Sequence, residues 1–491
     1  MNRPETAPAT GAEIVAAAVD EHGLVTAWSH GAFLLLGYRA AEAVGRRAAE
    51  FLAQPLPPSL RHRLARQETW AVPVGLRARD GRRVEVQLRG CPLADARGHG
   101  WWHVEAATPD QAAHASLSLQ RSLLQHRPPA RLAVETASRY LPADPAAGVG
   151  GDWFDVVPLS GARIALVVGD VVGHGIRASA TMGRLRMAVR TLADVDLPPD
   201  ELLTQLDDLI LAEIEEGFES PAEIGATCLY AVYDPVTRQL ALASAGHPAP
   251  LLVTPDATIR TVDLVPGPPL GVGGVPFEAT GLHLPEGSLL VLYTDGLIET
   301  RRRSIDTGLS MLTDELANPG PSLEETCDRL VDALLPHHPE DDAALLVART
   351  HALAPSNVVS RELPADPAVV AEARRWAVDQ LGRWNLADTA FTTELVVSEL
   401  LTNAIRYARP PLELRLIHNA GLICEVSDGS STSPHPHRAR ALDEGGRGLF
   451  MVGQLTSRWG TRHTRTGKTV WAEQPIRRPV QAAGATARRA G

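Results

Sequence analysis

A chain of 491 residues is longer than one hydrophobic core organises, and three domains are expected. Its formal net charge of -11 excludes wholesale binding to nucleic acid or to an anionic membrane surface, both of which need a basic face. With 44% apolar and 21% charged residues, disorder is not the general state either.

The four cysteines, Cys91, Cys228, Cys327 and Cys424, are too scattered for a disulfide framework or a C-x-x-C pair and read as small buried hydrophobes. No stretch reaches the roughly eighteen apolar residues of a membrane helix, and the start has no charged-then-apolar leader. The expectation is a cytoplasmic protein. Positive charge is almost entirely arginine, with Lys468 the only lysine.

Residues 12–108 alternate strand-like and helical patterns. The apolar run Ile14 to Val19 reaches a turn at Asp20 to Gly23, and a strand follows over Leu24 to Trp28. A helical stretch spans Ala32 to Leu36, and another starts near Ala41 to Val44. A hairpin runs from Val72 to Arg77 through Asp80-Gly81 to Arg83 to Arg89, with a last strand at Trp101 to Glu105. This order, with Gly37-Tyr38 and Glu42-Ala43-Val44-Gly45, resembles a PAS sensory domain. Ser29 stands where that family usually has asparagine, and no cysteine or histidine marks a flavin or haem attachment. A PAS fold used only for dimerisation or docking fits the same residues.

Residues 109–130 place Ala113, Leu117, Leu119, Leu123 and Leu124 at mainly helical spacing before Pro128-Pro129, and a connecting helix is expected. The PAS-like region and this helix are where a homodimer would form.

Across 131–350, acidic motifs end apolar runs or sit beside glycines. They are Gly150-Gly151-Asp152, Gly169-Asp170-Val171, Tyr293-Thr294-Asp295-Gly296 and Asp341-Asp342. The run Ile164 to Val168 leads into Asp170, Leu289 to Leu292 leads into Asp295, and Ala344 to Val347 follows the last pair. Strands delivering carboxylates to one rim call for cations, because two negative charges ~4 Å apart repel by about 4 kcal/mol at an effective dielectric of 20. Oxygen ligands without clustered histidine or thiolate favour Mg²⁺ or Mn²⁺. His174, between glycines, reads as a loop residue, and Asp155 as structural.

These motifs, with Ala245-Gly246-His247-Pro248 and Pro269-Leu270-Gly271, resemble the PP2C-like phosphatases of the SpoIIE and RsbU type. The resemblance implies a β-sandwich flanked by helices and two Mn²⁺ or Mg²⁺ ions. It implies that Asp170 bridges the ions, that the Val171 carbonyl holds the second, and that Asp295 and Asp341 hold the first. Asp152 would act directly or through water, with Asp342 the substitute should the pair be read one place off.

Over 358–477, a helix from Thr392 to Tyr407 puts Glu399 and Asn403 on one face. A strand over Leu422 to Ser427 ends at Asp428-Gly429, and Gly445-Gly446-Arg447-Gly448 open an apolar helix whose start can cradle phosphate. The set resembles the GHKL ATP-binding fold, an α/β sandwich, in its RsbW-like anti-sigma kinase branch. By that resemblance Asn403 holds Mg²⁺, Glu399 is the kinase base, Asp428 reads adenine, Gly446 and Gly448 belong to the lid, and Thr469 contacts the adenine. Ser430-Ser431 replace the usual second glycine. The tail 478–491 is expected to be disordered.

The combined expectation is a multidomain α+β signalling phosphatase acting on serine or threonine. By resemblance its substrate is a phosphoserine on a STAS-type anti-anti-sigma protein, with an appended ATP-binding kinase-like domain able to engage a sigma factor. The competing reading is a non-catalytic switch that sequesters a sigma factor on a phosphatase-like scaffold.

Overall fold

The computed structural model describes residues 15–20, 22–55, 70–94, 100–107, 133–143, 150–173, 176–215, 225–336, 339–430, 448–464 and 467–476. The expected connecting helix, the tail, His174 and Gly446 lie outside the described residues. The chain forms two compact units, one built on the N-terminal sheet and one on three further sheets.

The first unit is an antiparallel sheet of β1 (Val15–Asp20), β2 (Val25–Trp28), β3 (Trp70–Arg77), β4 (Arg83–Ala94) and β5 (Gly100–Ala107), in the order β2-β1-β5-β4-β3. Ser29 starts helix α1 (His30–Leu36) by accepting the Ala32 N–H at 3.1 Å, and the same oxygen takes the β1 amide of Ala16 at 2.9 Å. Where an asparagine was expected, the serine therefore pins helix to sheet. Gly37, at φ 78°, closes α1 with a left-handed cap. Helix α2 (Ala40–Ala43) follows. A cavity of about 540 Å³ is lined mainly by apolar side chains, among them Val25, Trp28, Leu36, Phe51 and Leu88.

The second unit begins with a β-sandwich. One sheet contains β7 (Trp153–Pro158), β8 (Ile164–Val171), β9 (Ala226–Asp234), β10 (Gln239–Ala245), β13 (Pro266–Gly267) and β14 (Thr280–His283). The other contains β6 (Val134–Leu141), β11 (Leu251–Val253), β12 (Ile259–Thr261), β15 (Leu289–Tyr293) and β16 (Ala343–Thr350). Alternation along β15 explains its uninterrupted apolar sequence: Leu290 and Leu292 enter the core between the sheets, while Leu289, Val291 and Tyr293 meet helices. Those helices are α6 (Ile305–Leu316) and α7 (Leu323–Leu334). Ser322 caps α7 by accepting the Glu325 N–H, and Leu323, Cys327, Leu330 and Leu334 form its buried stripe. Helices α3 (Ile176–Asp194) and α4 (Pro199–Glu215) lie on the first sheet, and the short α5 (Asp295–Ile298) follows β15.

The last sheet is antiparallel, in the order β17 (Val358–Leu363), β18 (Leu412–His418), β19 (Gly421–Asp428), β21 (Gly467–Pro475), β20 (Arg458–Thr464). Helices α8 (Val369–Arg383), α9 (Ala390–Tyr407) and α10 (Gly448–Leu455) pack on one face over Leu414, Leu416, Cys424, Val426, Val470 and Ala472. The odd-numbered residues of β19 and β21 consequently face away from the helices. Among the described residues, no helix is long and apolar enough to cross a membrane.

Candidate metal centre and nucleotide face

The acidic motifs meet at one rim of the sandwich, and their glycines allow it. A Cβ on Gly151 would lie 2.2 Å from the Val171 carbonyl oxygen and 3.2 Å from Asp170 Oδ1. A Cβ on Gly150 would lie 1.4 Å from Asp342 Oδ2. On Gly296 it would reach the Asp342 carbonyl oxygen at 2.0 Å and Asp341 Cβ at 3.5 Å. Each of these backbones passes where any side chain would collide, which draws the four motifs together.

Thr294, fully buried, ties three of the motifs: its hydroxyl donates to Asp152 Oδ2 at 2.6 Å and accepts the Ala344 N–H at 2.8 Å. Sequence reasoning passed over this residue, although it directly precedes Asp295. The pair at the start of β16 divides its work. Asp342 is buried and accepts the backbone N–H groups of Ala143 at 2.9 Å and Gly151 at 3.2 Å. Asp341 is exposed at the rim and accepts the Asp342 N–H at 2.9 Å.

Electrostatics at the rim are adverse. Burial, then the Asp170 charge and a hydrogen bond to Asp170, push Asp152 well above the usual carboxylate range. Burial raises Asp170 to about 6 against the hydrogen bond from Asp152, with Asp295, Asp341 and Asp342 adding repulsion. Asp295 is raised by burial and then by Asp341. Among the described residues no three acidic, histidine or cysteine side chains already stand close enough to cage an ion.

Neighbouring motif residues are structural. His247 Nδ1 lies 2.7 Å from Thr227 Oγ1 and Nε2 lies 3.1 Å from the Tyr293 carbonyl, so it spans the two sheets. Burial lowers its imidazole to about 4 despite that carbonyl. Asp155, 3% exposed, pairs with Arg186 at 3.0 Å and Arg190 at 2.5 Å on α3. Burial opposes its charge, but the arginines prevail and hold it below the usual range.

In the last sheet, Glu399 and Asn403 lie half-buried on α9. Glu399 abuts the start of α10, where a Cβ on Gly448 would lie 2.0 Å from Glu399 Oε2, a favourable place for a negative charge. Asp428 is buried and forms a 2.9 Å ion pair with Lys468 directly across the ladder, and Asp428 Oδ1 also accepts the Ser430 N–H at 2.8 Å. The expectation that Thr469 contacts adenine beside Asp428 is corrected. Thr469 stands opposite Ser427, bonds its hydroxyl at 2.8 Å, and points to the other face of the sheet. Strand parity puts Lys468 in that place.

The folds so built match three known domain types. The family described as PAS fold matches residues 14–104, Stage II sporulation protein E (SpoIIE) matches 160–351, and Histidine kinase-like ATPase domain matches 363–473. The chain thus carries a PAS domain, a SpoIIE-type PP2C-like domain and a histidine-kinase-like ATPase domain, in that order.

Among its relatives is the phosphoserine phosphatase RsbU of Bacillus subtilis (strain 168), 26% identical over 186 residues, 38% of this chain and 52% of the relative. RsbP of the same organism, also a phosphoserine phosphatase, is 23% identical over 205 residues, 40% of this chain and 49% of the relative. The chain spans about half the length of these curated relatives. A solved structure of the RsbU and RsbW domains of Rv1364c from Mycobacterium tuberculosis is 28% identical, covering 70% of this chain and 94% of that one with a TM-score of 0.43.

Proposed function

We propose that this chain is a metal-dependent protein serine/threonine phosphatase of a partner-switching pathway, with a phosphoserine on a STAS-type anti-anti-sigma protein as substrate. The observation that carries the reading is the convergence of Asp152, Asp170, Asp295 and Asp341 with the Val171 carbonyl at one rim, where burial and repulsion oppose the charges of Asp152, Asp170 and Asp295. An all-oxygen donor set of this kind fits Mn²⁺ or Mg²⁺. Asp170 would reach two ions, Asp295 and Asp341 the first, and the Val171 carbonyl the second. Asp342 has its oxygens on backbone N–H groups and positions the glycine strand instead. Bound divalent ions supply an activated water and counter-charge for the phosphoryl oxygens. Thr294 holds Asp152 in place, and His247 fixes the two sheets whose ends carry the acids.

In the ATPase-like domain, we read Asp428 as the adenine acceptor, Asn403 as the Mg²⁺ holder, Glu399 as the kinase base, and Gly446 and Gly448 as phosphate-side backbone. A sigma factor is the further partner this domain would engage.

The test is turnover of p-nitrophenyl phosphate and of a phosphoserine protein with Mn²⁺, Mg²⁺ or chelator. Mn²⁺-dependent release of phosphate is expected. Inactivity with every metal would return the chain to the sequestering-switch reading.

A further inference from the structure

The face of the ATPase-like sheet turned away from its helices is covered by the β7–β8 turn of the phosphatase-like domain. Gly161, at φ 65°, lies so close that a Cβ there would sit 2.6 Å from Glu425 Oε1 on β19. Ala162, fully buried and also left-handed at φ 68°, packs with Leu353, Ile417 and Ile423. Around this apolar contact runs a buried polar chain. Glu425, 2% exposed, pairs with Arg462 of β20 at 3.2 Å. Arg462 donates to Ser160 Oγ at 2.8 Å, and so does Arg163, which in turn pairs with Asp196 at 2.7 Å. At the edge Arg458 meets Asp194 at 3.1 Å.

Two features make this more than a resting contact. On the ATPase side, Glu425 and Asp428 share one strand but face opposite sides, as do Trp471, across from Glu425, and Lys468, across from Asp428. A ligand on the helix side and the phosphatase-like domain therefore press on the same two strands. On the phosphatase side, β7 leads from Asp152 to the turn, β8 leads from the turn to Asp170, and α3 ends at Asp194, beside Arg458. Asp155 clamps α3 to β7 through Arg186 and Arg190. From Ile164 to Asp170 is roughly 20 Å of continuous strand at about 3.3 Å per residue. Rigid, packed elements of this kind can carry coupling between distant sites.

We propose that the Glu425–Arg462–Ser160 lock couples nucleotide occupancy of the ATPase-like face to the β7–β8 turn, and through it to the carboxylate rim. The inference rests on the nucleotide reading of the Asp428 face and not on the phosphatase reading.

Hydrogen exchange on the full chain tests it, with and without a non-hydrolysable ATP analogue and Mg²⁺, alongside the analogue's Kd. The expected result is exchange at residues 159–163 and in α3 slowed at least roughly fivefold, the low end of usual coupling. In Arg462→Met that response disappears and, because coupling is reciprocal, the Kd weakens by no more than about the same factor. Glu425→Gln, which keeps the shape of the contact, behaves alike. The inference is overturned if the wild-type turn ignores a bound analogue, if the analogue does not bind, or if Arg462→Met and Glu425→Gln respond like wild type. Loss of Mn²⁺-dependent turnover alone would count against the phosphatase reading and leave the exchange result standing.

Discussion

The carboxylate rim and the Asp428 face both bury acidic side chains near strand ends, several at the first and one at the second, and they are balanced in opposite ways. At the rim, Asp152, Asp170 and Asp295 are all raised, first by burial, with neighbouring acids adding to the effect. On the nucleotide face, buried Asp428 already has Lys468 and the Ser430 N–H as partners. On the proposed reading, cations would offset the repulsion at the first site, and the second, with its charge already paired, would offer adenine an edge without new charge.

The sharpest way to break the comparison is to remove a charge from the crowded side. Asp170→Asn should cut Mn²⁺-dependent turnover by roughly 10³-fold, while the metal-free protein becomes more resistant to unfolding by on the order of 1 kcal/mol, because a repelled buried charge is gone. Equal losses of activity and stability in denaturant titrations would argue that Asp170 is simply structural.

On the balanced side the sign reverses. Lys468→Met leaves the Asp428 carboxylate buried without its cation and should cost about 3 kcal/mol of stability. An unchanged unfolding midpoint would show that the pair is not the organising feature of that face.

A third effect follows pH. Because burial holds His247 near 4 against an ordinary value of 6.5, the folded state keeps it neutral while the unfolded chain takes the proton first. Its contribution is whole above about 6.5 and drains away as pH falls toward 4, amounting to about 2 to 3 kcal/mol. Wild type should therefore lose more stability than His247→Gln between pH 7 and pH 4.5; parallel losses would place the imidazole in water. The smallest effect sharpens the contrast with buried charge: Arg349→Ala, which removes a half-exposed pair with Glu135, should change stability by less than about 0.5 kcal/mol.

The acids of the rim were legible in the sequence because each borders an apolar run or sits beside glycines, a local pattern that survives without tertiary knowledge. The strands at Ile164, Leu289 and Ala344 were legible for the same reason, and the structure extends each of them. What could not be read was relation across the fold. The double glycine at Gly150 and Gly151 read only as a neighbour of Asp152, whereas its use is to admit Asp342 and the Val171 carbonyl. Asp341 and Asp342 were interchangeable until the backbone amides of Ala143 and Gly151 were seen to occupy the second. Thr469 was misplaced because which side of a strand a residue faces depends on its sheet partners. The same blindness left Lys468, noted only as the lone lysine, without a place. The lock through Glu425 and Arg462 left no sequence signal, since a polar residue on the outer face of a sheet looks solvated until another domain covers it.

The central claim is that the rim exists to hold cations, and anomalous scattering from crystals grown with Mn²⁺ tests it most directly. The account predicts manganese peaks within coordinating distance of Asp170, Asp295 and Asp341, which vanish in Asp170→Asn. Crystals saturated with Mn²⁺ that show no peak at the rim, or peaks only elsewhere, would contradict it.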